Sequence, residues 1–440
     1  MICSFSDDVC ESYYNRMPGN PQKDMRTLFS NTLYLVAGSG TSVIVTMFLS
    51  MVLAQALMPA GYGEYNFILA IVYPSMLIAE FGFSTLIVRD ISGAEHLARP
   101  LLRSLLPLRL VISTVVIVVV AGLVAGLSGA YHVAYLLLVL PIIVTYPLFA
   151  MLTAVFRARQ RMAWISLLNI GLLVAQATLL LAERHTLGIQ RALAIQSVAA
   201  AGQLLAAAII FLWMTRNDEP KMMRFEYRNW MMRCIPFAVA NLLGALQARL
   251  IVLLLGIHDY HLQMGFYVAA TKFSDAGRLL PMAYFDAVFP QLSARRGDAA
   301  AVRRMRQQIT VITLAYALLT SSLLIGLAQP LVLLVFGRDY LPSADILAIV
   351  ALLFVPSTLH AALRVEAYAT GFEWLGNGIS LTIMAVLCGS AMLGNASGVD
   401  SLLRLSLILE TTACVLLGLA LSSGAAFRRA STTIPYTPAK

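Results

Sequence analysis

Charge is what this sequence has least of. Asp, Glu, Lys and Arg make up 12% of its 440 residues, about half the share of a soluble globular domain, which excludes a chain folded in water. Lysine is scarcer still: Lys23, Lys221, Lys272 and Lys440 are the whole complement and none follows a glycine. There is thus no Gly-Lys-Ser/Thr phosphate loop, and ATP is not used by this chain. The five cysteines, Cys3, Cys10, Cys234, Cys388 and Cys414, are odd in number and lack ligand-like spacing, so neither a disulfide framework nor a metal site is expected. His-Glu-x-x-His and Gly-x-Ser-x-Gly are also missing, and no motif points to an enzyme. The net charge of +9 would suit nucleic acid, but the cations cluster in alternate loops, as topology signals do, so no nucleic-acid partner is expected.

What the sequence has in abundance is apolar length. Hydrophobic residues make up 59%, and windows of about twenty of them place helices at 31–57, 64–88, 110–127, 133–156, 165–181 and 192–213, then at 235–257, 264–292, 309–328, 346–368, 375–393 and 402–421. The expected fold is an all-α polytopic membrane protein of about twelve transmembrane helices. The short apolar piece 331–336 is read as re-entrant or as an extension of the ninth helix. No cleavable signal is expected, because charged residues fill the first thirty positions and the run that follows is too long for a signal core. Of the 31 Lys and Arg residues, 24 fall on one side, 4 on the other (Arg184, Arg191, Arg338, Arg404) and 3 within spans. Both termini are therefore expected in the cytoplasm.

This organisation divides the chain into a cytoplasmic tail 1–30, a six-helix half 31–214, a linker 215–234, a second six-helix half 235–424 and a cytoplasmic tail 425–440. The linker, with Trp230 and several methionines among charges, reads as interfacial. A weak repeat supports the halves: Gly63-Glu64-Tyr65 and Gly265-Phe266-Tyr267 open the second helix of each, 265 − 63 = 202 positions apart. Halves of equal orientation would be related by an axis along the membrane normal, with a central cavity suited to alternating access.

The stretch 264–292 carries Lys272, Asp275, Arg278 and Asp286. At about 100° per residue these share one third of the circumference, in a stripe about 21 Å long. Each would cost roughly 2.5 to 3.5 kcal/mol facing lipid, so they should face protein or a wet cavity. Arg249 in the preceding helix falls at a similar depth to Lys272. Two level cations are unusual unless an anion meets them; the plainer alternative is that Asp275 pairs with Lys272 and Arg278 as interhelix glue. Glu410 is a lone carboxylate in the middle of the last window, a candidate proton or sodium site. Glu80 is a second candidate, though near a helix end it could also snorkel or bond Arg89. Arg364 and Glu366 suggest a surface role, and His258, Asp259 and His261 a polar hairpin rather than a metal or proton site. Asn395-Ala396-Ser397 is a formal glycosylation acceptor, read as chance in a bacterial protein.

Several segments together resemble the bacterial polysaccharide-biosynthesis exporters, the O-antigen-type flippases of the multidrug/oligosaccharidyl-lipid/polysaccharide (MOP) exporter superfamily. These are Gly61-Tyr62-Gly63-Glu64-Tyr65-Asn66 with Ala79-Glu80-Phe81-Gly82-Phe83-Ser84, the basic run from Phe156 to Met162, Gly265 to Lys272 with Leu280-Pro281 and Phe289-Pro290, and Val335-Phe336-Gly337-Arg338-Asp339-Tyr340. Arg249 is followed by Leu250 and Ile251 where relatives often carry an acidic residue, so no ion site is carried over to that point. The resemblance implies translocation of an isoprenoid pyrophosphate-linked oligosaccharide across the bacterial inner membrane without a cofactor, returned by a proton or sodium gradient. On that reading Arg249, Lys272 and Arg278 hold the pyrophosphate. Asp275 and Asp286 hold those cations or bond sugar hydroxyls, and Glu410, then Glu80, couples the ion. The implied partners are the lipid-linked glycan, membrane lipids and glycan-assembly polymerase and glycosyltransferases. A drug/cation antiporter is the alternative, disfavoured by three buried cations. A membrane polymerase or ligase lacks outer loops to carry its chemistry, and a scaffold leaves the stripe unused.

Overall fold

The computed structural model describes residues 21–91, 98–184, 186–216, 227–295, 298–394 and 398–422. The tail up to residue 20 with Cys3 and Cys10, linker residues 217–226, Arg296, the Asn395-Ala396-Ser397 triplet and the tail 425–440 lie outside the described residues. Every regular element within them is helical: α1 (Pro21–Glu80), α2 (Phe83–Ile91), α3 (Ala98–Ala158), α4 (Met162–Ala182), α5 (Ile189–Met214), α6 (Tyr227–Ile257), α7 (His261–Gly277), α8 (Leu279–Ala294), α9 (Ala299–Gly326), α10 (Ala328–Val335), a 3-10 turn (Arg338–Tyr340), α11 (Ser343–Ala369), α12 (Glu373–Met392) and α13 (Val399–Ser422). Apolar chain in hydrocarbon has no water to satisfy its amides, and a helix satisfies them within the segment.

Nine described segments are long and apolar enough to cross a membrane, and the longest, Gly40–Val88 with 49 residues, holds the first expected window from Gly40 on and the whole of the second. Within α1 the only non-helical residue is Met58, at φ 58° and ψ 167°, and Pro59 after it disfavours the helical region there. Asn241–Ile257 is shorter, and the window 264–292 is not one span but α7 and α8, broken at Arg278. The chain is an all-α, multi-pass membrane protein.

Two breaks share a cause. Pro281 has no N–H to donate to the carbonyl of Gly277, and Pro330 none for Gly326; α8 and α10 start beside these pairs. Pro107, Pro141 and Pro147 in α3 and Pro356 in α11 do not end their helices, and four residues before them stand Arg103, Leu137, Ile143 and Leu352. Proline opens a gap in the ladder, and glycine, the weakest helix former beside it, lets the helix part there. The freed Gly277 carbonyl accepts from the Tyr316 hydroxyl at 2.7 Å. The piece 331–336 accordingly falls in a separate helix, α10, and its C-cap, and does not extend α9.

The chain divides into two compact units. The first gathers residues up to Thr46, Pro74–Ala182 and Leu193–Asn241. Its core packs Phe83, Leu86 and Ile87 of α2 on Leu105 and Phe156 of α3, with Trp230 edge-on to Phe83 at 5.8 Å. Trp230, expected in an interfacial linker, is buried because α6 begins at Tyr227.

The second unit gathers Met47–Tyr73, Glu183–Ala192 and the chain from Leu242. One core joins Phe285 and Leu292 of α8 to Val302 and Ile309 of α9 and Ala362 of α11; another joins Leu363 and Ala367 to Phe372 and to Leu417 and Leu421 of α13. In the same unit α1 crosses α7 backbone to backbone. A Cβ on Gly63 would sit 2.0 Å from the carbonyl oxygen of His261, and one on Gly265 would sit 1.9 Å from that of Pro59. Since 261 − 59 and 265 − 63 both equal 202, each glycine faces the counterpart of the residue that the other faces. That reciprocity is the signature of a contact on a twofold axis. Beside it Tyr340 packs against Tyr62, Phe266 and Phe336 at 6.3, 6.2 and 5.5 Å between centroids. Burial raises the Tyr340 phenol above its ordinary pKa, and its hydroxyl donates to the carbonyl of Ala54 at 2.8 Å.

Candidate functional site

In the second unit, α6 and α7 bring three of the sequence's candidates together. The Arg249 guanidinium lies 4.8 Å from the centre of the Tyr73 ring, a cation–π contact that holds it without neutralising it. The charged groups acting on the Lys272 ammonium are Asp275 and Arg249, and the Tyr267 phenol feels Asp275, Arg278 and Arg249. Arg278 stands at the break, where its Nη2 donates to Ser357 Oγ at 3.1 Å and its guanidinium lies 5.9 Å from the Phe354 ring centre. Among the described residues none of Arg249, Lys272 and Arg278 is in ion-pair contact with a carboxylate. Asp275 is exposed and bridges neither Lys272 nor Arg278, so the glue alternative lacks its ion pairs. Asp286 is exposed on α8, beyond the break; the stripe therefore runs over two helices.

Glu410 is not lone. Its Oε2 is 2.7 Å from Nδ1 of His360 on α11, with side chains 13% and 3% exposed. His360 went unread because one histidine does not disturb an apolar window. Arg364 and Glu366 are not surface residues either. Glu366 is 2% exposed and accepts from Arg306 Nε at 2.8 Å to both oxygens and from Nη2 at 2.6 Å, while Arg306 also reaches the carbonyl of Leu421. Arg364 donates to Gln247 Oε1 at 3.3 Å and to Ser380 Oγ at 3.1 Å. In the hairpin, His258 Nδ1 is 2.8 Å from the carbonyl of Leu254, and His261 Nε2 is 3.4 Å from Asp259.

In the first unit, Glu80 ends α1 and opens α2, its carboxylate accepting from the amides of Gly82 and Ser84 at 2.8 Å each. It is 3% exposed and so does not snorkel. The cation beside it, at 4.0 Å, is Arg109. Arg109 is fully buried within α3; it donates to the carbonyls of Ala79 and Glu80 and stacks 4.4 Å from the Phe83 ring centre. The apolar window expected at 110–127 starts one residue after it, yet the helix begins at Ala98.

Solved structures with this arrangement of helices are transporters. The lipid II flippase MurJ in an inward closed conformation has a TM-score of 0.69 at 14% identity, over 91% of this chain and 90% of that one. The MATE transporter VcmN of Vibrio cholerae in its bent form has a TM-score of 0.56 at 17% identity, over 92% and 97%. An outward-facing multidrug resistance MATE family transporter of the MOP superfamily has a TM-score of 0.60 at 13% identity, over 94% and 97%. These likenesses define the class: the chain has the MOP-superfamily fold. The profile of the polysaccharide biosynthesis protein family matches residues 28–295, more than half the chain, and the chain belongs to that family. No curated protein sequence matches it.

Proposed function

We propose that this chain is a flippase that moves an isoprenoid (undecaprenyl) pyrophosphate-linked oligosaccharide across the bacterial inner membrane by alternating access between its halves. It serves a surface polysaccharide: O-antigen, capsule or exopolysaccharide. The observation that carries the reading is the group of three cations, Arg249, Lys272 and Arg278, none in ion-pair contact with a carboxylate among the described residues. Such a group is stable against an anion of several charges and repels a cationic drug. Arg and Lys suit phosphate oxygens, and Asp275 and Asp286 are assigned to orienting the cations or bonding sugar hydroxyls. Glu410 couples the return step to a proton or sodium gradient; Glu80 is the second candidate, its carboxylate already engaged by two amides. Both termini are cytoplasmic, and the glycan polymerase and glycosyltransferases are the partners.

Leaflet access tests this. Proteoliposomes holding a labelled isoprenoid pyrophosphate oligosaccharide in both leaflets are probed with an impermeant sugar-modifying reagent. Protein-dependent modification beyond the outer-leaflet half is expected. It should fall about 10- to 150-fold in rate in Lys272→Ala and Arg249→Ala, the loss of one charged hydrogen bond being about 1.5 to 3 kcal/mol. No protein-dependent increase in vesicles given an ion gradient and a matched glycan would overturn the reading in favour of an antiporter or scaffold.

A further inference from the structure

His360 and Glu410 lie on α11 and α13, and both side chains are withdrawn from solvent. Their 2.7 Å contact is a buried hydrogen bond that shares one proton between Nδ1 and the carboxylate. The far nitrogen, Nε2, is buried and has no hydrogen-bond partner among the described residues. A bare lone pair tolerates that position. A proton on Nε2 would make a buried N–H with no acceptor among the described residues, which is strongly disfavoured. The pair therefore shares one proton between Nδ1 and the carboxylate and has one unfilled proton position, at Nε2, whose filling needs a rearrangement that brings an acceptor to that nitrogen.

The neighbouring groups are otherwise occupied. Arg306 and Glu366 engage each other, Arg278 is held by Ser357, and Arg364 by Gln247 and Ser380. Lys272 and Asp275 on α7 belong to the cationic group, and Cys414 stands one helical turn from Glu410. Ser357 and Arg364 flank His360 on α11 at three and four residues, so the three share one helix face. That face touches Arg278 at one end and, through Arg364, reaches Gln247 of α6, the helix that bears Arg249.

We propose that His360 and Glu410 form a single-proton site, filled at His360 Nε2 only in the alternate conformation, and hence that the coupling ion is the proton. The assignment rests on the transport reading above and narrows it. Hard cations are held by sets of oxygen donors, whereas here Glu410 Oε2 is taken by a ring nitrogen. The proton arrives from bulk water when the site opens to one side and leaves to water on the other, with no covalent chemistry. Because binding and conformation are linked, a ligand favouring one conformation must change proton occupancy, and the reverse.

The test uses the full chain, purified in nanodiscs, with its protonation followed by infrared difference spectra across pH. One step is expected in which imidazole and carboxylate bands move together, unchanged when choline is replaced by sodium. Glu410→Gln and His360→Gln should each abolish the joint step. Glu410→Asp, which draws the carboxylate back, should keep a carboxyl titration and lose its coupling to the imidazole, and size-exclusion elution reports folding of all three. In proteoliposomes a pH gradient should speed flipping roughly fivefold or more over an equal sodium gradient, and Glu410→Gln should lose that acceleration. A joint step that persists in Glu410→Gln, or one displaced by sodium, would overturn the proposal. A sound titration with no flipping of any lipid-linked oligosaccharide would sink the flippase reading and leave the proton site standing.

Discussion

Replacing Gly63 by alanine should separate two backbones. The added Cβ would sit 2.0 Å from the His261 carbonyl oxygen and 2.9 Å from the Gly265 nitrogen. Both are backbone atoms that no rotamer can move, so α1 and α7 must part by about 1.4 Å to reach ordinary contact, loosening the aromatic packing beside them. Overpacking of this kind costs about 1 to 3 kcal/mol. Gly265→Ala, 1.9 Å from the Pro59 carbonyl, should cost about the same. The crossing is reciprocal, so the first substitution opens the space the second needs. The double variant should then fall short of the sum by about 0.5 kcal/mol or more, as coupled neighbours do. Thermal unfolding of purified single and double variants measures this. Gly244→Ala is the control: its Cβ meets nothing within 4 Å, and helix propensity favours alanine there by about 1 kcal/mol. Additive losses, or a Gly63→Ala as harmless as Gly244→Ala, would refute the close crossing.

Glu366→Gln should destabilise by about 3 kcal/mol, the lower part of the range for breaking a buried ion pair because Arg306 keeps some exposure; denaturation midpoints check it, and Arg306→Met combined with Glu366→Leu should cost less than either single change. Tyr316→Phe should cost about 0.5 to 1.5 kcal/mol by leaving the Gly277 carbonyl unpartnered. Adding Pro281→Ala, which restores the missing N–H, should recover that loss in the same measurement.

Helices and their order were readable because hydrocarbon imposes one rule on every segment, satisfy the backbone internally, and apolar length records that rule. The break at Arg278 was not read, although Gly277 and Pro281 stand in the sequence. Pro356 shows why: proline inside an apolar helix need not end it, and the outcome turns on a glycine four residues back and on a distant hydroxyl from Tyr316. Arg249 and Lys272 can be set at one depth by helix rise alone, since two helices joined by a short turn must align their depths, and Asp275 joins them through the angular stripe it shares with Lys272. His360 cannot be paired with Glu410 by the same means, because fifty positions and an intervening helix separate them. Glu366 reads as a surface residue, and Arg109 falls outside the apolar window, because a charge near a window's edge and a charge in a loop look alike until the helix bounds are known.

The bend between α7 and α8 has its pin on a third helix. The Gly277 carbonyl has exchanged a ladder bond, which would belong to its own helix, for the hydroxyl of Tyr316 on α9. Any displacement of α9 along its axis therefore pulls on the corner itself, and Arg278, the next residue after that carbonyl, is carried with it. The angle at which this cation is presented is set by a helix that bears none of the residues assigned to the substrate.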